Sequence, residues 1–225
     1  MFKQSFTITS PYSMAQFMQG LNDITRAHSD AVGLGTDFYL DRDLAWVVVR
    51  YHIRVLNNTP NNTELTLITA PTHFKKMMGY RYYGLSSDEL LIEGFVHYML
   101  INIKTKEPVS VTPELMEGFE VNEVLPRYRF TKPTSEGPWE QIDQKVVLQE
   151  HMDANGHLNN AAYFHYLPAL ELNDFSAWDV HYKEESFVGD VLTLYRSIGN
   201  EGITYKLTKE NQEVFIVQLK TSPTR

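Results

Sequence analysis

The chain has 225 residues, with 43% apolar and 21% charged residues. This excludes global disorder and leaves room for one large domain or two small ones. Twenty Lys and Arg against 28 Asp and Glu give a net charge of −8. That balance argues against a general nucleic-acid binder, whose phosphate contacts require a concentrated basic surface. The chain contains no cysteine, so disulfides, thiolate metal sites and a cysteine nucleophile are ruled out. No apolar run reaches the ~18 residues of a membrane span, and MFKQSFTITS lacks a secretory apolar core. The expectation is a cytoplasmic protein with no membrane span.

In chain order, residues 2–9 alternate as a first strand ending at Ser10-Pro11. Ser13 and Gln16 have capping-box spacing, so a helix is expected to start there. Met14, Phe17, Met18, Leu21, Ile24 and His28 then recur at three- and four-residue steps, forming one apolar stripe. Extended segments follow at 44–56, 64–70, 73–83 and 90–103, rich in β-branched and aromatic residues. Residues 104–139 carry five prolines and many charges and read as a connection lying across the surface.

The same order then recurs. A strand is expected over 140–149, a helix from about Asn160 with Tyr163, Tyr166, Leu167 and Leu170 on one face, and strands near 178–187, 191–198, 203–208 and 214–221. Pro168 should kink or end that helix near Leu167. Strand, helix and four-stranded meander, given twice, predict a duplicated α+β fold in which each antiparallel sheet wraps a helix. The expected division is an N-terminal domain over 1–125, a linker over 126–139 and a C-terminal domain over 140–225.

Two segments of the second copy carry chemistry. The first is Asp153-Ala154-Asn155-Gly156-His157-Leu158-Asn159-Asn160, just before the expected second helix. By composition alone it is an ordinary Asn-Gly turn with Asn159 or Asn160 as a helix cap. Its glycine is misplaced for a calcium loop, and His151, Asp153 and His157 are too few for a standard zinc site. No metal is expected. The functional alternative sets a carboxamide and an imidazole at the start of a helix, whose free amides suit a developing oxyanion. The second segment, Tyr182-Lys183-Glu184-Glu185-Ser186-Phe187, could supply a base near the end of a strand, although adjacent exposed carboxylates are usually only solvated.

Together, DANGHLNNAAYFHYL and the later YKEES segment resemble the acyl–acyl-carrier-protein thioesterases of plants and bacteria. In the first half, LAWVVVRYHIRVLNNTPNNTELTLIT and YMLINIKTKEPV agree as well. The resemblance implies a tandem (double) hot-dog fold and hydrolysis of the thioester joining a fatty acyl chain to the phosphopantetheine arm of acyl carrier protein, with no cofactor. On the matching motifs, Asn155 and His157 fall on the family's catalytic Asn and His, Asp153 on its conserved Asp, and Glu185 on its catalytic Glu. A one-residue slip would select Glu184 instead. Ser186 stands where many plant members carry a cysteine, so activated water rather than a thiol is the implied nucleophile.

The first copy lacks the Asp-x-Asn-x-His order and is left to bind the acyl chain, with Met14, Phe17 and Met18 as candidate lining residues beside the plainer reading as core. Lys75, Lys76 and Arg81, or Arg127, Arg129 and Lys132, could form the basic patch that an acidic carrier protein needs. The rival expectations are an acyl-CoA thioester hydrolase and a non-catalytic acyl-binding protein. A homodimer is left open. The absence of a transit-like extension points to the bacterial type.

Overall fold

The computed structural model describes residues 1–8, 12–60, 62–134, 137–153 and 155–221. They form two compact units. One comprises residues 1–10, 20–51 and 56–129, and the other 11–19, 52–55 and 130–225. Helix α1 (Met14–Ala31) and strand β2 (Leu44–Val55) each contribute to both.

In the first unit, β1 (Phe2–Ile8), β3 (Thr63–Lys75), β4 (Met78–Ser86), β5 (Leu90–Asn102) and β2 lie in the order β1-β3-β4-β5-β2. The C-terminal part of α1 packs on this sheet. Gly20 sits so close to the Phe6 ring that a Cβ would lie 2.3 Å from it, so the absence of a side chain sets the approach of helix to sheet. Thr25 Oγ1 lies 2.6 Å from the Tyr83 hydroxyl, and His28 Nδ1 faces the Arg81 guanidinium at 2.9 Å.

The strand expected over 73–83 is corrected. Pro71 does not end a strand but sits at a bulge within β3, where the register shifts between Pro71 and His73. The chain reverses later, after Lys75, through Lys76 at φ 54°. The surface reading of 104–139 is corrected in part. Leu115 is buried with Leu34, Tyr39, Leu44 and Leu100, and the Tyr39 hydroxyl donates to its carbonyl at 2.8 Å. That stretch closes one end of the first unit's core.

In the second unit, the end of β2 is followed by β7 (Ala177–Tyr182), β10 (Gln212–Lys220), β9 (Gly202–Lys209), β8 (Val191–Gly199) and β6 (Glu140–Val146), in that sheet order. The capping box of α1 lies in this unit. The Ser13 N–H donates to Gln16 Oε1 at 3.0 Å, and the Gln16 N–H to Ser13 Oγ at 3.3 Å. The Met14 N–H donates to the Leu170 carbonyl at 3.1 Å and the Leu172 N–H to Tyr12 at 3.3 Å.

The second helix ends at Leu167, where Pro168 is expected to stop it, and Leu170 lies beyond it. It is a 3₁₀ helix over Ala162–Tyr166, and the chain turns extended at Leu167, φ −96° and ψ 170°. Pro168 accounts for the stop. It has no N–H to continue the ladder and disfavours helical geometry in the residue before it. Short as it is, the element fills the core of this unit. Tyr163 stacks on Phe215 at 5.1 Å, and Phe164 meets Trp178 edge-on at 6.3 Å.

Among the described residues, no helix is long and apolar enough to cross a membrane.

Candidate active site

The loop between the short helix Gln149–His151 and Ala162 is organised by one carboxylate. Asp153 Oδ1 accepts the N–H groups of Asn155 at 2.8 Å and His157 at 3.1 Å. The Gly156 N–H donates to the Asp153 carbonyl at 3.1 Å and the Asp153 N–H to the His157 carbonyl at 2.8 Å. Gly156 takes φ 77°, a left-handed conformation that glycine adopts without steric cost. Asp153 therefore works on the loop backbone. Asn155 stands exposed at the turn, tied to Asp153 through its N–H rather than its carboxamide.

His157 projects toward the segment that follows β7. Its Nε2 lies 3.4 Å from Glu185 Oε2, with the two side chains 25% and 38% exposed. This separation is longer than a well-formed hydrogen bond. The Phe187 ring meets the His157 ring edge-on at 5.3 Å.

The strand expected to carry the two glutamates is corrected, because β7 ends at Tyr182. Glu184 and Glu185 lie in the loop 183–190, where strand alternation does not decide which one faces inward. Of the two, Glu185 is beside His157. Glu184 is exposed, and its carbonyl lies 3.2 Å from the Tyr163 hydroxyl.

Ser186 is fully buried. Its Oγ lies 3.2 Å from the Tyr163 hydroxyl, and its carbonyl accepts the Leu158 N–H at 2.8 Å, tying the glutamate loop to the histidine loop. Burial pushes the Tyr163 phenol up to about 12, so it stays protonated.

The expected oxyanion site at the second helix is corrected. A five-residue 3₁₀ turn has little dipole, and its first amides are occupied. The Ala161 N–H donates to Asn159 Oδ1 at 2.8 Å and the Ala162 N–H to the Asn159 carbonyl at 2.9 Å. Asn159 thus makes a local turn just ahead of the helix, whose first flanking residue is Ala161. The N–H groups of residues 155–159 all have acceptors within the chain as well.

His151 is held by the Tyr166 hydroxyl at 2.8 Å and stacks on His165 at 5.0 Å. Sequence reasoning gave this packing no role. Burial, with His151 alongside, lowers the His165 pKa.

Met14, Phe17 and Met18 are no more than 1% exposed, and all three fall in the same compact unit as His157 and Glu185. Of the basic candidates, Arg81 is corrected. It is buried, bonded to His28 Nδ1 and to Thr69 Oγ1 at 3.3 Å, and cannot serve as a docking group. Lys75, Lys76, Arg127, Arg129 and Lys132 are exposed.

This arrangement can be set beside known proteins. The acyl-ACP thioesterase N-terminal domain family matches residues 5–119. Among solved structures, an acyl-ACP thioesterase from Bacteroides thetaiotaomicron superposes with a TM-score of 0.85 at 14% identity, covering 97% of this chain and 96% of that one. The 12:0-ACP thioesterase from Umbellularia californica gives 0.79 at 19% identity, covering 99% and 97%. At these identities the structures establish the α+β hot-dog fold. No curated protein sequence matches. With the family's N-terminal domain spanning half of its length and its fold throughout, the chain belongs to the acyl-ACP thioesterases, a family of thioester hydrolases.

Proposed function

We propose that the chain releases free fatty acid from acyl carrier protein by direct attack of water, with Glu185, His157 and Asn155 as the groups that touch the reacting atoms. The observation that carries this reading is the 3.4 Å approach of His157 Nε2 to Glu185 Oε2. The two residues come from separate loops, and that placement suits proton transfer at a shared centre.

Glu185 takes a proton from water as its oxygen bonds to the thioester carbonyl carbon. The tetrahedral intermediate then collapses with cleavage of the carbon–sulfur bond. The products are a carboxylic acid and the phosphopantetheine thiol. A thiol has a pKa of about 8.5, so the sulfur departs without needing full protonation, and His157 relays the proton held by Glu185. With the amides of residues 155–159 already bonded, the exposed Asn155 carboxamide is the donor that meets the developing oxyanion. Asp153 keeps the loop in the shape that presents it.

Met14, Phe17 and Met18 form the apolar wall toward which the acyl chain runs. They are closely packed, so admitting a chain requires them to shift, which the flexible thioethers of the two methionines favour.

The test is a panel of matched acyl thioesters on acyl carrier protein and on coenzyme A, read by thiol release. The expected result is higher kcat/KM on the carrier substrates. Equal or higher values on the coenzyme A substrates would overturn the carrier assignment. Stoichiometric acyl binding without thiol release would overturn hydrolysis.

A further inference from the structure

Past the last paired residue of β7, the Lys183 and Glu184 N–H groups still donate to the Val214 carbonyl of β10, at 2.9 and 3.4 Å. At the next residue, Glu185, the main chain is held from the neighbouring hairpin by the Lys209 ammonium. Lys209 is the last residue of β9, followed by Glu210 and Asn211, both at positive φ (50° and 68°), and then by β10. Two residues at positive φ fit the short hairpin connections whose twist matches the flanking strands.

The Lys209 Nζ donates to the carbonyl oxygen of Glu185 at 3.2 Å and to Asp190 Oδ2 at 3.0 Å. It also stands 5.4 Å from the centre of the Phe187 ring. Asp190 Oδ2 accepts the Phe187 N–H as well, at 2.8 Å, so one carboxylate oxygen joins the lysine to the loop. Lys209 and Asp190 are each only about one quarter exposed, at 26% and 24%. A charge-assisted contact at that depth is screened far less than one in open solvent.

The braced segment carries Glu185 and, through Phe187, touches His157. Lys209 bonds the main chain of Glu185, and the Phe187 ring it covers packs against His157. A compact ammonium with three rotatable donors can reach two oxygens from one stem.

We infer that Lys209, with Asp190, is a positioning residue that holds Glu185 against His157. This rests on the reading of Glu185 as the base. The residue touches no reacting atom. Its contribution is geometric, on the scale at which about 1 Å of misplacement costs up to ~100-fold in rate.

The test is a double-mutant cycle on the full chain with acyl carrier protein substrate, using Lys209→Met, Glu185→Gln and the double variant, with kcat, KM and Tm measured for each. Lys209→Met should lower kcat by about 10- to 100-fold while KM changes by less than about threefold. In the Glu185→Gln background the same substitution should change kcat by less than about threefold, because the group it positions is already disabled. Lys209→Arg, which keeps a cationic donor, should recover most of the lost turnover.

Multiplicative losses in the cycle would overturn the inference, as would an unchanged kcat in Lys209→Met. If Glu185→Gln alone retains full activity, the base assignment fails and the inference falls with it. If Glu185→Gln is impaired and Lys209→Met is not, only the inference falls. Should Lys209→Met not fold, Asp190→Asn replaces it: the amide still accepts the Phe187 N–H but loses the charge attraction, so a smaller loss of kcat supports the inference and an unchanged kcat overturns it.

Discussion

The Tyr163 hydroxyl and Ser186 Oγ lie 3.2 Å apart in the interior, while the residue just before Ser186 in sequence reaches outward to His157. Successive side chains of the 183–190 loop thus divide between the interior and the His157 loop. Ser186 Oγ accepts from the Tyr163 phenol, which stays protonated.

Ser186→Ala should therefore retain kcat within about threefold. It should cost roughly 1 kcal/mol of stability, the scale of one buried hydrogen bond. Kinetics and thermal unfolding of the same preparation check both parts. A loss of turnover without a loss of stability would return Ser186 to the chemistry.

His28 should make stability depend on pH. Burial, chiefly, and the Arg81 guanidinium next to it lower its pKa to about 4 from a usual 6.5. The unfolded chain therefore takes up a proton below about 6.5, whereas the folded chain resists until about 4. Stability falls as pH drops through that window, by up to about 3 kcal/mol from this group. Urea unfolding at pH 7, 5.5 and 4.5 should show a steeper decline for wild type than for His28→Gln, which keeps an acceptor for Arg81 without the titration.

Arg81→Glu should behave as a folding defect. It places a carboxylate in a buried site now holding a guanidinium, His28 and Thr69, and breaking a buried polar cluster in this way costs on the order of 3–5 kcal/mol. A sharply lower Tm is expected. Where residual folded protein is measurable, activity on carrier-borne and small thioesters should fall together. A selective loss on the carrier substrate at normal Tm would contradict the buried placement.

Gly202→Ala should destabilise the hairpin on which Lys209 rests. Gly202 has φ 147°, and a Cβ there would lie 1.9 Å from the Leu219 carbonyl oxygen, a clash with backbone that no side-chain rotation relieves. The expected cost is roughly 2–4 kcal/mol, read as a lower midpoint in denaturant.

Much of this fold is legible in local sequence because local rules carried it. The Ser13–Gln16 spacing gave the start of α1, and β-branched runs gave β2, β5, β8, β9 and β10. Where tertiary context decides, the sequence reading failed. Pro71 looks like a strand breaker but is absorbed at a bulge. Leu115 lies in a proline-rich, charged stretch yet is buried under Tyr39. The apolar spacing around Tyr163 and Tyr166 suggested an α-helix; Pro168 ends it near Leu167 as read from the sequence, but its 3₁₀ form was not legible.

At the candidate site, the Asp-x-Asn-x-His string marked the loop that holds His157. Which of Glu184 and Glu185 lies beside His157 required coordinates, because both lie past the strand whose alternation would have separated them. Lys209 carried no signal at all. Its role depends on a hairpin bringing β9 beside a loop some twenty residues earlier in the chain.

The central claim is that Glu185, paired with His157, activates the water that cleaves the thioester. Single-turnover hydrolysis of acyl carrier protein substrate by Glu185→Gln, with folding checked by near-ultraviolet circular dichroism, tests it most directly. The expected result is a rate lower by roughly two to four orders of magnitude with substrate binding intact. A well-folded variant that hydrolyses at close to the wild-type rate would contradict it.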